Sequence, residues 1–436
     1  MAFPLFLLLN FLFFIRPDEI ITSLNESRLY LSCFLACIMF SWRELSVTLK
    51  LDRLIIDPVT CCIILYGLIF TISNIINVGA FEAREKGIEY VKLVLYYLLF
   101  ISLVNTPQRL RVFLKCLVLC VLVMTAIVLL DHYEVIRVEA IEPIIQNEYD
   151  EEGAIVDSYP RLRYLGTFQD PNDLSMLLGV GMILSVYLFV SGASFFRGLW
   201  AIPFASAAFL MALTQSRGGL LGLAAGVAAF FASKLGWRKA LPVAAIAISV
   251  LLFAAGGRQG DISLSGGTGQ DRLRIWAEGF GLMANPRHVL TGIGVDKYQD
   301  EVGHVAHNSY VHAFVETGMM GGIVFSGMFL LAFGVVFKQG SVWLKYQFPM
   351  LAQMHPYLLA VLADYLVCMF SLSRNYVVTT YMMLGICTAF IRMAQDDYQR
   401  SWYNMDFRMI VLISGLGLGV FAVLKVFLMM FVQFGV

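Results

Sequence analysis

The segment between residues 292 and 322 decides how this chain is organised. It reads Gly292-Ile-Gly-Val-Asp-Lys-Tyr298, then His304-Val-Ala-His307-Asn-Ser-Tyr310, then Glu316-Thr-Gly318-Met-Met-Gly321-Gly322. This segment is polar, rich in glycine and bears histidines, whereas the chain around it is mostly apolar. Lipid satisfies neither backbone hydrogen bonds nor charges, so a membrane protein keeps such a segment outside the bilayer or against a wet cavity. We therefore expect the functional site to lie here.

The composition predicts a membrane protein. Of the 436 residues, 59% are hydrophobic and 14% are charged, whereas soluble domains have about 45–50% and about 25%. The apolar residues form repeated runs, which predicts an all-α polytopic integral membrane protein with one membrane domain over residues 1–436. The 31 basic and 31 acidic side chains balance. That balance argues against a nucleic-acid partner, because nucleic-acid binding requires a basic face.

The apolar runs predict about 12–13 transmembrane helices, depending on whether the first run crosses fully. A helix needs about 20 apolar residues to cross the hydrocarbon core. The predicted spans are residues 2–15, 20–41, 57–80, 89–104, 112–131, 173–191, 197–214, 218–235, 239–256, 311–337, 352–370, 375–393 and 409–433.

Two longer loops separate these spans, at residues 132–172 and 257–310. Lys and Arg concentrate in the short loops of the opposite face, which the positive-inside rule places in the cytoplasm. Both long loops are therefore expected to be extracytoplasmic, on the same face as the turns at residues 216–219 and 373–375. The acidic run 148–152 reads as a solvated loop, or alternatively as a ligand-binding or gating loop.

One arginine stands at a glycine turn between two apolar runs, in Thr214-Gln-Ser-Arg217-Gly-Gly219. A planar guanidinium binds phosphate oxygens through two parallel hydrogen bonds, and glycines let backbone N–H groups approach a ligand. Arg217 is therefore a candidate phosphate ligand. The alternative is an interfacial arginine that reaches to lipid headgroups. In the first long loop, Arg161 and Arg163 add positive charge.

The second long loop contains a basic, aromatic segment. Arg272 and Trp276 are four residues apart and share one helix face, with the indole suited to the membrane interface, whereas Arg274 points elsewhere. Asn285-Pro286 is predicted to end this helix. The alternative is an amphipathic surface helix without a ligand.

Histidines follow in the same loop. Neutral imidazole is the side chain best matched to accepting a proton near pH 7, so His304 and His307 are candidates for a catalytic or substrate-orienting group. Their spacing with Glu301 would stack three metal ligands on a helix, although a glycine interrupts the turn and no fourth ligand is evident. Structural polar histidines are the third alternative. His312 follows, with Glu316 one helical turn later.

Four short motifs occur in one order between about residues 160 and 330. They are Gly166-Thr-Phe-Gln-Asp-Pro-Asn172, Ser216-Arg217-Gly-Gly219, Arg272-x-x-x-Trp276 with Asn285-Pro286 and Gly292-Ile-Gly294, and His307-Asn-Ser-Tyr310 with Glu316-Thr-Gly318 and Gly321. Together they resemble the O-antigen ligase and O-antigen polymerase superfamily of bacterial envelope glycosyltransferases.

The resemblance implies a GT-C-like helical fold in the bacterial inner membrane. It implies an undecaprenyl-diphosphate-linked glycan as donor and a glycan or lipid A-core-type hydroxyl as acceptor, with membrane lipids around the chain. Transfer would occur with inversion on the periplasmic side, without a metal, a cofactor or a nucleotide sugar.

The resemblance also assigns roles to residues. His307 would be the general base that deprotonates the acceptor, and Arg217 and Arg272 would hold the donor diphosphate. Arg274 stays an alternative to Arg272, and His304 to His307. The remaining expected substrate contacts are Asn308, Glu316 and Arg163.

Ligase and polymerase are not separated by the sequence, and other classes of protein stay open. A lipid-linked oligosaccharide flippase or another transporter would carry charges along its helix interiors and pseudo-symmetric halves. Here only Asp364 and Lys425 are conspicuous inside apolar runs. A non-catalytic assembly subunit is the third class.

Overall fold

The computed structural model describes residues 1–24, 27–149, 155–192, 196–242, 245, 268–340, 342–395 and 403–432. Helices dominate these residues, which confirms the predicted all-α polytopic class. In chain order the described helices are α1 (Ala2–Ile15), α2 (Pro17–Ile20), α3 (Leu29–Phe40), α4 (Trp42–Thr48), α5 (Leu51–Ile56), α6 (Pro58–Asn77), α7 (Ala80–Leu103), α8 (Pro107–His132), α9 (Pro171–Ser191), α10 (Ala201–Leu213), α11 (Arg217–Leu235), α12 (Thr268–Leu282), α13 (Pro286–Thr291), α14 (Tyr298–Val302), α15 (Ser309–Lys338), α16 (Val342–Gln347), α17 (Pro349–Cys368), α18 (Val378–Ala394) and α19 (Phe407–Phe431).

Among the described residues, seven helices are long and apolar enough to cross a membrane, namely α6, α8, α9, α11, α15, α17 and α19. An eighth span results if α3 and α4 count as one broken helix. The predicted spans at α1, α10 and α18 form shorter helices, and α7 carries charges in its first turns. Most of the predicted span 239–256 lies outside the described residues.

Two predicted helix boundaries are wrong. The predicted span 20–41 begins only at Leu29, after the short helix α2 and a 3₁₀ turn at Thr22–Leu24. Pro286 does not close α12, which ends at Leu282; it occupies the first position of α13 instead. Proline suits that position because the first helical N–H has no intrahelical partner, and Asn285 supplies the cap by accepting from the Arg287 N–H, 3.1 Å away.

The described residues form two compact units, of which the first comprises Met1–Trp42, Thr106–Asp261 and Lys345–Cys368. Helix α9 packs against α8, α10, α11 and α17. Glycines allow this close packing: a side chain at Gly179 or Gly222 would collide with the fully buried carboxyl group of Asp364. The Cys368 thiol lies 3.9 Å from this carboxyl group. Asp364 is thus fitted into a notch between helices.

The first long loop contains an antiparallel hairpin that was not predicted from the sequence. Strand β1 (Ile144–Tyr149) pairs with β2 (Ile155–Arg161), with Ile144 opposite Arg161. Both strands are short and rich in isoleucine, valine or tyrosine, which favour extended backbone. Of the acidic run 148–152, residues 150–152 lie outside the described residues.

The second unit comprises Arg43–Asn105, Ile262–Leu344 and Met369–Val436. Helix α15 is its centre and packs against α6, α13, α18 and α19. The sequence predicted an unbroken span over 311–337, but α15 is interrupted at Gly318, where φ is 69° and ψ is −171°. This interruption organises the candidate site.

Candidate functional site

The interruption of α15 is closed by the loop after α13. A break in a helix leaves carbonyl groups of the preceding turn without intrahelical partners. The Ile293 N–H donates to the Val315 carbonyl at 3.0 Å, and the Gly294 N–H donates to the Glu316 carbonyl at 3.1 Å. The Gly292-Ile-Gly294 motif is therefore the backbone partner of the broken helix.

Two glycines make this pairing possible. Gly292 and Gly318 both have positive φ, at 75° and 69°, a region that side chains with a Cβ rarely adopt. A Cβ at Gly292 would overlap the backbone of Glu316 and Gly318, and a Cβ at Gly318 would overlap the backbone of Leu290 and Gly292. The two glycine motifs that are distant in sequence thus contact each other.

His307 lies in the turn that leads into α15. It is half-buried and has a φ of 47°, which is uncommon for a residue other than glycine. The next residue, Asn308, is fully buried and caps the helix, because its Oδ1 accepts from the N–H groups of Tyr310 at 3.0 Å and Val311 at 3.1 Å. Asn308 therefore fixes the turn that carries His307, and its expected substrate contact stays a prediction.

Helix α12 is joined to this same turn. The indole nitrogen of Trp276 donates to the carbonyl of Ala306, 2.7 Å away. The Trp276 side chain is buried in the protein by this contact, and its interfacial position stays a prediction. Arg272, one helical turn earlier, is half-buried, whereas Arg274 is exposed. The structure thus connects the helix that carries Arg272 to the turn that carries His307.

The helical arrangement of metal ligands is wrong. Helix α14 ends at Val302, and Gly303 follows with a φ of 80°, so Glu301 and His304 do not continue on one helix. His304 is exposed. Within the described ranges, no group of three His, Cys, Asp or Glu side chains is placed to hold a metal.

The Glu316 side chain is buried and contacts polar groups of three other residues. It is fully buried, and Oε1 lies 2.8 Å from Nε2 of His312. The N–H of Tyr298 donates to Oε1 at 3.2 Å, and the Tyr376 hydroxyl donates to Oε2 at 3.2 Å. Burial raises the pKa of Tyr376 well above its usual value, and the nearby Tyr66 and Glu316 add to this rise. Tyr376 therefore remains a protonated donor at neutral pH.

Tyr376 was not among the predicted site residues, but the neighbouring turn 373–375 was expected on the same face as the two long loops. The Ser309 hydroxyl donates to the Leu372 carbonyl at 2.6 Å and accepts from the Arg374 N–H at 2.9 Å. The Asn375 side-chain amide donates to the Ser309 carbonyl at 2.8 Å. The turn after α17 is thus bound to the first residue of α15.

Arg217 and Arg163 belong to the first unit. Arg217 is the first residue of α11 and is half-buried; the preceding Ser216 caps the helix by accepting from the Gly219 N–H at 3.2 Å. Arg163 is half-buried and donates from Nε to the Glu142 carbonyl at 2.5 Å. The other candidate residues, namely Arg272, Arg274, His304, His307, Asn308 and Glu316, belong to the second unit.

Comparison with known proteins agrees with the motifs. Residues 202–326 match the family model described as O-antigen ligase. This range holds every candidate residue except Arg163. No curated protein matches the chain. The match over residues 202–326 supports the resemblance of this chain to the O-antigen ligase/polymerase superfamily.

Proposed function

We propose that this chain is an O-antigen ligase-type membrane glycosyltransferase. It transfers an undecaprenyl-diphosphate-linked oligosaccharide or polysaccharide to an acceptor hydroxyl, with inversion and without a metal. The reaction takes place on the periplasmic side of the bacterial inner membrane. A polymerase of the same superfamily is the second candidate, because the family match applies to both.

The hydrogen bond between Trp276 and Ala306 carries this proposal. It supports a site in which a guanidinium on α12 and the imidazole after Ala306 serve one substrate. Arg272 is the half-buried arginine of α12, on the same face as Trp276, which favours it over the exposed Arg274 as the phosphate ligand. His307 follows Ala306 directly, which favours it over His304 as the base.

The chemistry follows from these roles. The acceptor oxygen attacks the anomeric carbon on the face opposite the diphosphate, and the glycosidic C–O bond breaks as the new bond forms. His307 takes the proton of the acceptor hydroxyl. Arg217 and Arg272 neutralise the charge that develops on the departing diphosphate, so the leaving group needs no proton.

The buried side chain of Glu316 supports the same site indirectly. Its carboxylate holds His312, Tyr298 and Tyr376 within one hydrogen-bonded group, directly before the break in α15. A rigid support of this kind keeps the start of α15 in place, and positioning of reacting groups supplies a large part of enzymatic rate enhancement. Glu316 thus contributes by orientation.

The test that separates ligase from polymerase is glycan length in a deletion strain. Surface polysaccharide and lipid-linked intermediates are resolved on gels. Long chains stranded on the lipid carrier, with none on the final acceptor, are expected for a ligase. Single repeat units on the carrier would mean a polymerase, and unchanged glycans in both fractions would contradict the proposed function.

Arg217→Lys is expected to lower the transfer rate by about 10- to 100-fold, the equivalent of one hydrogen bond to a charged group. Lysine retains the charge but does not replace the bidentate guanidinium fork. The measurement is the transfer rate in membranes that contain equal amounts of each variant. Arg197→Lys is the matched control, because Arg197 stacks on Phe189, 5.5 Å from the ring centre, in the same unit. A wild-type rate for Arg217→Lys would remove this residue from the diphosphate site.

A further inference from the structure

Arg161, the last residue of β2, has a buried guanidinium that joins three segments of the first unit. Its Nε donates to the Thr214 carbonyl at 3.0 Å, Nη2 donates to Oδ1 of Asn172 at 3.1 Å, and Nη1 donates to Oε1 of Gln146 at 3.2 Å. The side chain is only 8% exposed. These segments are the hairpin, the start of α9 and the turn that precedes α11.

The amide of Asn172 continues the connection to α11. Its Oδ1 accepts from the Ser216 hydroxyl at 2.7 Å as well as from Arg161. The Asn172 N–H and side-chain amide both donate to Oδ1 of Asp170, at 2.8 and 2.9 Å. Ser216 in turn accepts from the Gly219 N–H. The cap of α11 is thus connected to Arg161 through one side chain.

Arg217 is the residue whose backbone this network sets. Arg217 follows Ser216 directly. Gln215, which precedes Ser216, has a left-handed φ of 51°. Two hydrogen bonds join this segment to the end of β2 and the residue after it: one from Arg161 to the Thr214 carbonyl, and one from the Leu162 N–H to the Leu213 carbonyl at 3.2 Å. A change at Arg161 would therefore displace the Cα atom of Arg217, and with it the side chain.

We propose that Arg161 is a positioning residue for Arg217. The guanidinium of Arg161 fixes the turn 214–216, and thereby the placement of Arg217 for the donor diphosphate. This inference rests on the proposed function, in which Arg217 contacts that diphosphate. Only a rigid fork with several donors reaches Thr214, Asn172 and Gln146 at once, and a lysine ammonium does not reproduce that geometry.

A double-mutant cycle tests this inference. The four full-length proteins are the wild type, Arg161→Lys, Arg217→Lys and the double variant, each purified into lipid nanodiscs. The measured quantity is the dissociation constant of undecaprenyl diphosphate. Each single variant is expected to bind roughly 10- to 100-fold more weakly, the contribution of about one hydrogen bond to a charged group. The double variant is expected to bind no more weakly than Arg217→Lys, because residues that act through one another are not additive.

Arg111→Lys is the matched control for a purely structural arginine. Arg111 donates from Nη2 to the Ser191 carbonyl at 2.7 Å, at the opposite end of α9 from Asn172. Its replacement is expected to lower the thermal midpoint while the dissociation constant stays unchanged. Arg161→Lys is expected to change the dissociation constant even at temperatures where the protein is fully folded.

The outcomes separate the inference from the proposed function. Unchanged binding by Arg217→Lys would contradict the diphosphate role itself, and the inference falls with it. Weakened binding by Arg217→Lys with wild-type binding by Arg161→Lys would contradict the inference alone. So would a double variant whose loss equals the product of the two single losses. If Arg161→Lys does not fold, Asn172→Ala takes its place in the cycle, because it breaks the same connection to Ser216.

Discussion

Replacement of His307 by alanine is expected to lower glycan transfer by about 10²- to 10⁴-fold, the contribution of a positioned general base. The acceptor hydroxyl would keep its proton during attack, whereas donor binding by the arginines would be unaffected. The measurement is the transfer rate in membranes with equal amounts of protein, with binding of undecaprenyl diphosphate as a second readout. Transfer should fall while the dissociation constant stays at its wild-type value.

Two further variants separate loss of the base from damage to the turn. His307 has left-handed backbone, which asparagine tolerates better than alanine, so His307→Asn keeps the backbone and removes the proton acceptor. It is expected to be as inactive as His307→Ala. His304→Ala is the matched control, because His304 is exposed and lies outside the turn fixed by Asn308. Near-normal transfer by His307→Asn would refute the base assignment, and loss of transfer in His304→Ala would move the role to His304.

The sequence predicted the parts of this fold that depend on local pattern. Apolar runs predicted about 12–13 spans, and among the described residues seven helices, or eight with the bent pair α3 and α4, are long and apolar enough to cross a membrane. Helix α9 begins by an equally local rule, because Pro171 takes its first position and the Asp170 side chain caps it by accepting from the Asn172 N–H. Helical caps and apolar length are properties of neighbouring residues, so a single sequence contains them.

The parts that depend on contacts between distant residues were not predictable. Glu316 was expected to contact substrate, but the structure buries it among donors from residues 298, 312 and 376. Trp276 was expected at the membrane interface, yet a carbonyl 30 residues further along the chain receives its N–H. A hydrogen-bond partner far along the chain leaves no periodic signal, so spacing alone could identify these residues but not their surroundings.

The break in α15 also depends on a contact between residues that are distant in sequence, and it leads to the second prediction with a large expected effect. The apolar run 311–337 continues through Gly318, so the sequence predicted an unbroken span. The signal for the break is the glycine pair itself: the chain has glycine at both positions where the backbone of loop 290–294 meets the helix. Only the packed structure shows why both positions require glycine: a Cβ at Gly292 or at Gly318 would overlap the backbone around the other residue.

Gly318→Ala is therefore expected to destabilise the protein strongly. The backbone of Gly318, at φ 69° and ψ −171°, lies in a region populated almost only by glycine and costs alanine about 1–3 kcal/mol. Overpacking against the backbone of Leu290 and Gly292 adds about 1–3 kcal/mol. The sum is a large part of the roughly 5–15 kcal/mol that stabilises a typical folded protein. The measurement is the thermal midpoint of the purified protein in detergent, together with its yield from membranes.

Two other glycines separate the two costs. Gly303 also has positive φ, 80°, but in the αL region, and a Cβ there would meet nothing within 4 Å, so Gly303→Ala measures the smaller strain of αL backbone alone. Gly334 lies in the same helix as Gly318 with open space around it, and Gly334→Ala should be neutral or slightly stabilising because alanine favours helices. The midpoint is expected to fall most for Gly318→Ala, less for Gly303→Ala, and not for Gly334→Ala. If the thermal midpoint of Gly318→Ala fell no further than that of Gly303→Ala, the backbone contact with loop 290–294 would not be what requires glycine at 318. The pairing that closes the broken helix would then have to be looser than the structure has it.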